Sequence, residues 1–130
     1  MLGHALNQAE VEDALADLLH RRGQGWKLPD IEKAVCDALG LPAESLQTER
    51  RAKSVNTTRM LAMWMARKYT RAALSEIGGY FGRRSHSTVI SAQKKVVSWV
   101  NEQSKVAFGG KTWPVEEAIR RVEERLRAIG

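Results

Sequence analysis

The chain has little of what disulfides, membrane spans and metal sites require. Its 130 residues contain one cysteine, Cys36, and three histidines. A single cysteine cannot form an intrachain disulfide, so we expect a protein of a reducing, cytoplasmic compartment. No apolar run reaches the roughly 18 residues that a transmembrane helix needs. The start of the chain turns acidic rather than basic, unlike a signal peptide. We therefore expect no membrane association.

The histidines and hydroxyl residues form no catalytic or metal-binding pattern. The histidines are scattered along the chain, and no His-x-x-x-His or Cys-x-x-Cys spacing occurs. Ser85, His86 and Ser87 are sequence neighbours, but successive residues of a helix diverge by about 100°, so a nucleophile and its base would point apart. We predict no metal, no cofactor and no enzymatic activity.

One short stretch imitates a nucleotide-binding loop. The letters "GGKT", residues 109–112, match the end of a P-loop. That motif needs a glycine five residues before its last glycine, and Lys105 occupies the position. Trp113 and Pro114 follow directly. We therefore predict that the chain binds no nucleotide.

Positive charge is concentrated in one segment. The formal net charge is +6, yet residues 50–95 carry eleven lysines and arginines against one acid, Glu76. The remainder of the chain has ten basic and fourteen acidic residues. Such asymmetry costs self-repulsion unless a polyanion meets it, and a phosphate backbone is the commonest such partner. A basic surface without a partner is the alternative that charge alone leaves open.

Apolar spacing predicts helices along the whole chain and no long strand, so the expected fold class is all-α. The predicted helices are one near residues 11–19, one opened by Leu28-Pro29-Asp30 and ended by Gly40, one from about Thr57 to Thr70, one from Leu74 to Phe81, one starting at Ser85, and a last one with Pro114 in its first turn. We divide the chain into an N-terminal helical extension (1–25), a helix-turn-helix domain (26–100) and a C-terminal amphipathic helix that packs on or extends it (101–130).

Two of these helices, joined by a tight glycine turn, indicate a helix-turn-helix. The first ends near Phe81, Gly82 follows, and Ser85 can cap the second. Residues at the start of the second helix would face the major groove, where hydroxyls and an imidazole can bond base edges or phosphates. Arg83 and Arg84, in the turn, would lie over a phosphate strand. A plain helical hairpin, with Ser85 only as a cap, has the same spacing and stays an alternative.

Three stretches resemble one known family. They are "VCDALGLPAESL", "ERRAKSVNTTRMLAM" and "LSEIGGYFGRRSHSTVISAQKKV". Through them, residues 31–97 resemble the C-terminal DNA-binding domain (domain IV) of the bacterial chromosomal replication initiator family, DnaA. The resemblance implies a Trp-repressor-like helix-turn-helix bundle that binds double-stranded DNA in the bacterial cytoplasm, at the nucleoid.

The resemblance also implies roles for individual residues. His86, Ser87 and Thr88 would read bases in the major groove, with Ser85 beside them, and Arg51 of the basic loop would enter the minor groove. It also places Arg59, Arg67 and Arg84 on the DNA backbone. To these we add Arg83, Lys94 and Lys53, which are our own assignments and not matches to the family, as residues that would hold the backbone.

The sequence departs from the family pattern at three places. The signature aspartate is Ser85 here, the second signature glycine is Arg83, and the usual Arg-Pro-Arg-Gln of the basic loop is Thr57-Thr58-Arg59-Met60. A carboxylate accepts from cytosine, whereas a hydroxyl both donates and accepts, so the two do not impose the same base. The family's ATPase module has no counterpart in this sequence, and we expect that the chain alone neither assembles an ATP-dependent filament nor opens an origin.

We therefore expect sequence-selective binding of double-stranded DNA, at sites like the initiator's box, in the regulation of transcription or replication. One alternative is an excised piece of a full initiator, against which the start at Met1 and the helix after Val100 count. Another is a protein-interaction module, whose basic face meets an acidic partner and whose N- or C-terminal helix docks one. RNA binding is disfavoured because no stacking aromatics interleave the basic residues.

Overall fold

The computed structural model describes residues 25–42, 45–47, 53–82 and 85–129. Within these ranges, five α-helices, one 3₁₀ turn and one β-hairpin enclose a single apolar core. The helix predicted near residues 11–19 lies outside the described residues. The all-α, helix-turn-helix fold class is confirmed, and the hairpin is an addition that the sequence reading did not predict.

Helix α1, Leu28–Leu39, forms where the sequence predicts it. Pro29 lies in its first turn, and the Asp30 carboxylate accepts the backbone N–H of Lys27 at 3.0 Å. Gly40 ends the helix with φ 77°, in the left-handed conformation that glycine adopts without strain. The inner face of α1 buries Ile31, Ala34, Val35, Cys36 and Leu39 in the core.

Helix α2, Lys53–Tyr69, is the longest helix of the described chain and starts at Lys53 rather than at the predicted Thr57. Leu61, Met63 and Met65 are at most 2% exposed. Met63 and Met65 therefore fill the core, a common role for methionine. Before this helix, the 3₁₀ turn Ser45–Gln47 places Leu46 in the same core.

The helix-turn-helix consists of α3, Leu74–Tyr80, and α4, His86–Asn101. Gly82 lies in the turn with φ 91°, a conformation that a side chain at this position would strain. Ile77, Phe81 and Val89 are each fully buried where the two helices meet. Their packing fixes the direction in which the start of α4 leaves the core.

A β-hairpin follows α4. Strand β1, Lys105–Phe108, pairs antiparallel with β2, Lys111–Pro114. Gly109 and Gly110 form the turn with φ 60° and 85°, as a two-residue type I′ turn requires. The stretch that imitates a P-loop is thus a hairpin turn. Pro114 is the last residue of β2, where it lies opposite Lys105, rather than part of a helical turn. Val106, Phe108 and Trp113 of the hairpin are buried in the core.

Helix α5, Val115–Ile129, packs along α1 and closes the core. Its apolar face, Val115, Ala118, Val122 and Leu126, is buried. The Trp26 indole N–H donates to the Leu126 carbonyl at 3.1 Å, and the Tyr69 hydroxyl donates to the Glu123 carboxylate. The apolar face of α5 is therefore not open to a docking partner. Its outer face carries ion pairs of Glu117 with Arg120 and Arg121.

The two turn glycines should differ in their tolerance of alanine. Both have positive φ, but a Cβ at Gly109 would lie 2.6 Å from Leu41 Cδ1, whereas one at Gly110 would meet open space. Gly110→Ala should lower the free energy of unfolding by about 1–2 kcal/mol, the cost of a left-handed side chain. Gly109→Ala should cost more, measured by urea unfolding. Equal losses for the two variants would contradict the hairpin's position against α1.

Candidate nucleic-acid interface

The start of α4 presents a row of polar side chains to solvent. Ser85 is the N-cap, and its Oγ accepts the backbone N–H of Thr88 at 3.3 Å. The same N–H also donates to the Ser85 carbonyl at 3.0 Å, so Ser85 provides both acceptors for this donor at the helix start. Ser85, His86, Ser87 and Thr88 are all exposed. The described residues therefore leave the predicted base-reading side chains uncovered.

The hydroxyls of this first turn form a cluster around Ser85. Its Oγ lies 2.9 Å from Ser87 Oγ and 3.1 Å from Thr88 Oγ1. With the Thr88 N–H, these two contacts give Ser85 Oγ three hydrogen-bond partners. Ser85 thus both caps the helix and ties its two hydroxyl neighbours together.

The rest of α4 extends this surface along the helix. At about 100° per residue, Ser87, Ser91 and Lys94 project from one exposed face, while Thr88 and Lys95 lie on the flank nearest α2. His86 lies on the opposite flank. The predicted Lys94 is exposed on this face. Ser91 and Lys95 were not among the predicted site residues, although their spacing of four from Ser87 and seven from Thr88 would have indicated them.

A cleft of about 200 Å³ separates α4 from α2. The two helices contact each other, and the hairpin touches both: the Thr57 hydroxyl of α2 donates to the Ala107 carbonyl, and Phe108 packs on Trp99 of α4 at 5.9 Å between ring centroids. Because the hairpin meets the start of α2 and the end of α4, we infer that the helices run in opposite directions. The cleft is lined by Asn56, Arg59, Met60, Met63, Thr88, Ser91, Ala92 and Lys95.

Arg67 continues the row of α2 residues that lines this cleft. It is exposed and stands one helical turn beyond Met63. With α2 and α4 in opposite directions, this end of α2 lies toward the start of α4. The structure thus brings the predicted Arg67 to the side of the molecule that carries Ser87 and Thr88.

The structure corrects the expectation that Arg59 contacts the DNA backbone. It is 1% exposed, and its Nε donates to the Leu46 carbonyl at 3.1 Å. A side chain buried in this way holds the 3₁₀ turn to α2 and cannot lie against a phosphate at the same time. Its place was readable in the sequence, since Arg59 shares a helical face with the buried Val55, Ala62 and Ala66.

Four of the predicted residues lie outside what the structure describes. They are Arg51, Arg83, Arg84 and the side chain of Lys53.

The single acid of the basic segment, Glu76, is described: its carboxylate accepts the backbone N–H of Ala73 at 3.1 Å and so caps α3. A carboxylate at a helix start is partly offset by the helix dipole.

The described residues show neither a metal cluster nor an activated thiol. No three histidine, cysteine, aspartate or glutamate side chains among them come together as metal ligands. Cys36 is 2% exposed, and burial raises the pKa of its thiol to about 11, which opposes thiolate reactivity. No helix in the described ranges has the length and apolar content of a membrane span.

Fold and site together define a helix-turn-helix domain with a polar, exposed second helix. The family model described as "Bacterial dnaA protein helix-turn-helix" matches residues 28–96, more than half of the chain. The chain belongs to this DnaA helix-turn-helix family, and the membership supports binding of DNA.

Curated relatives carry the name "Chromosomal replication initiator protein DnaA". The protein of Wolbachia pipientis wMel is 32% identical over 107 residues, which cover 82% of this chain and 23% of the relative. That of Thermodesulfovibrio yellowstonii is 40% identical over 82 residues, 63% of this chain and 19% of the relative. The chain thus spans about a fifth to a quarter of the length of these relatives.

Arg59 and Arg67 should respond oppositely to substitution. Arg59→Met keeps a stem of similar shape but loses the buried bond to Leu46, so the free energy of unfolding should fall by about 1.5–3 kcal/mol. Arg67→Ala, on the surface, should change it by no more than about 0.5 kcal/mol, yet weaken duplex binding. Urea unfolding and fluorescence anisotropy measure the two effects. An Arg59→Met variant that stays fully stable and loses DNA affinity would restore the original assignment.

Proposed function

We propose that the chain binds double-stranded DNA with sequence selectivity, by placing the first turn of α4 in the major groove. The preferred sites are of the DnaA-box type, and the binding serves regulation of transcription or replication on a bacterial chromosome. The observation that carries the proposal is the exposed row Ser85, His86, Ser87 and Thr88 at the start of a helix-turn-helix second helix. In this class of domain, those positions reach base edges.

The flanks of this row support the proposal through their charge. Lys94 and Lys95 lie on α4 behind the first turn, and Arg67 lies on α2 beside it. Cations at such positions can hold the phosphates on either side of the groove while the helix start stays free for bases. The helix N-terminus adds its own attraction for a phosphate.

The remaining contacts of the proposal lie outside the described residues. Arg51 would enter the minor groove next to the major-groove site, as arms and loops with arginine do in related modes of recognition. Arg83, Arg84 and Lys53 would hold the backbone. Arg59 is left out because of its burial. The residues that would contact bases are thus His86, Ser87, Thr88 and Arg51, with Ser85 in the same exposed row.

Substitution of a base contact and of a backbone contact should separate selective from non-specific binding. A selection from random duplexes first defines the preferred site. His86→Ala should then cost roughly 1–3 kcal/mol on that site and reduce the preference. Lys94→Ala should weaken binding to preferred and unrelated duplexes about equally.

Two results would contradict the proposal. If both variants lose the same affinity on every duplex, only non-specific attachment to phosphate is left. If the selection yields no motif and the basic face binds acidic proteins instead, the protein-interaction alternative holds.

Salt dependence tests the phosphate contacts separately. If about six phosphates are neutralised, log K should fall with log salt concentration at a slope near −5. Titrations of one labelled duplex between low and high salt give this slope. A slope shallower than about −2 would leave too few backbone contacts for the proposed surface.

A further inference from the structure

We propose that Ser85 is a specificity-determining residue, because it limits Ser87 and Thr88 to one outward-pointing O–H donor between them. The inference rests on the proposed function, since it concerns how the first turn of α4 selects bases. It follows from the hydroxyl cluster alone and requires no contact of Ser85 with a base.

The count of protons around Ser85 gives this limit. Its Oγ has two lone pairs and one proton. One lone pair takes the Thr88 N–H at 3.3 Å, which this N–H shares with the Ser85 carbonyl at 3.0 Å. Ser87 Oγ at 2.9 Å and Thr88 Oγ1 at 3.1 Å then use the other lone pair and the proton. Ser85 therefore donates to one neighbour and accepts the proton of the other.

The two neighbours are left with unequal outward groups. The hydroxyl that gives its proton to Ser85 shows only lone pairs to a base. The hydroxyl that receives the Ser85 proton keeps its own and can donate. Rotation of the three O–H bonds exchanges Ser87 and Thr88 between these states, and both can donate outward only if one of the two bonds to Ser85 is broken.

The limit of one outward O–H donor predicts which bases Ser87 and Thr88 can bind together. Guanine and thymine show acceptors in the major groove, whereas cytosine and adenine carry an amino group that donates. A hydroxyl must donate to bind the first pair and can accept from the second. Each base pair carries one base of each kind, so the rule applies to the base on the strand that the hydroxyl contacts. On that strand, we expect the two bases contacted by Ser87 and Thr88 to include guanine or thymine at one position at most. The selected motif should therefore contain a pairwise dependence, not only a preference at each position.

Two substitutions of Ser85 should shift the rule in opposite directions. Ser85→Gly removes the cluster and is tolerated at an N-cap with little loss of stability, so both hydroxyls become free to donate. Ser85→Asp also caps well, but its carboxylate only accepts. It would turn the Ser87 and Thr88 protons inward, and neither hydroxyl would then donate to a base.

The experiment is a selection from random duplexes with the whole chain, followed by sequencing. Selections with Ser87→Ala and Thr88→Val identify the two contacted positions as those whose preference is lost. In the wild-type pool, guanine or thymine at both positions should be depleted roughly two- to tenfold against the product of the single-position frequencies, the range of one lost hydrogen bond. The depletion should vanish for Ser85→Gly. For Ser85→Asp, guanine and thymine should be depleted at each position.

Lys94→Ala is the matched control, because it weakens binding without touching the cluster. Its pool should keep the wild-type dependence. A wild-type pool with a clear motif but independent positions, or Ser85 variants with the wild-type pattern, would overturn the inference and leave selective binding intact. A wild-type pool without any motif would instead contradict the proposed function.

Discussion

The packing of α4 on α2 and α3 is the constraint on which the candidate site depends. Val89, Ala92, Val96 and Trp99 make one buried stripe on α4, and burial of a valine side chain contributes about 1.5–3 kcal/mol to stability. This stripe lies in the core, and Gly82 allows the chain to reverse before α4. The first turn of α4 therefore projects outward. Ser85, His86, Ser87 and Thr88 are therefore exposed as a consequence of apolar burial elsewhere on the same helix.

The basic residues of the segment at residues 50–95 divide between the core and the surface. A segment with eleven basic residues and one acid carries electrostatic self-repulsion. Two charged residues of the segment serve the fold itself, since Arg59 is buried with its Nε donating to the Leu46 carbonyl and the Glu76 carboxylate caps α3. The cations that stay on the surface, such as Arg67, Lys94 and Lys95, are those that can meet an anionic partner. Positive charge in the sequence is thus divided between an architectural part and a part available for binding.

Much of the fold could be predicted from the sequence because the residues that begin and end the helices act locally. Pro29, Asp30 and Gly40 bound α1, and Gly82 and Ser85 bound the turn before α4. The hairpin escaped because two four-residue strands are too short for alternation to stand out; Gly109-Gly110 between Val106, Phe108 and Trp113 was the overlooked indication. The direction of Arg59 needed its helical face as well as its charge. The hydroxyl cluster could not be predicted, because residue spacing does not show which side-chain oxygens lie within hydrogen-bond distance of each other.

The link between the two ends of the described chain affects how the domain is made. Trp26, just before α1, bonds to the Leu126 carbonyl of α5, one hundred residues later. A ribosome delivers about 5–20 residues per second, so α1 spends seconds in the cell without the helix that covers it. During that interval its apolar side chains Ile31, Val35 and Leu39 remain available to chaperones or to misassociation. Completion of the core is thus timed by the synthesis of its last helix.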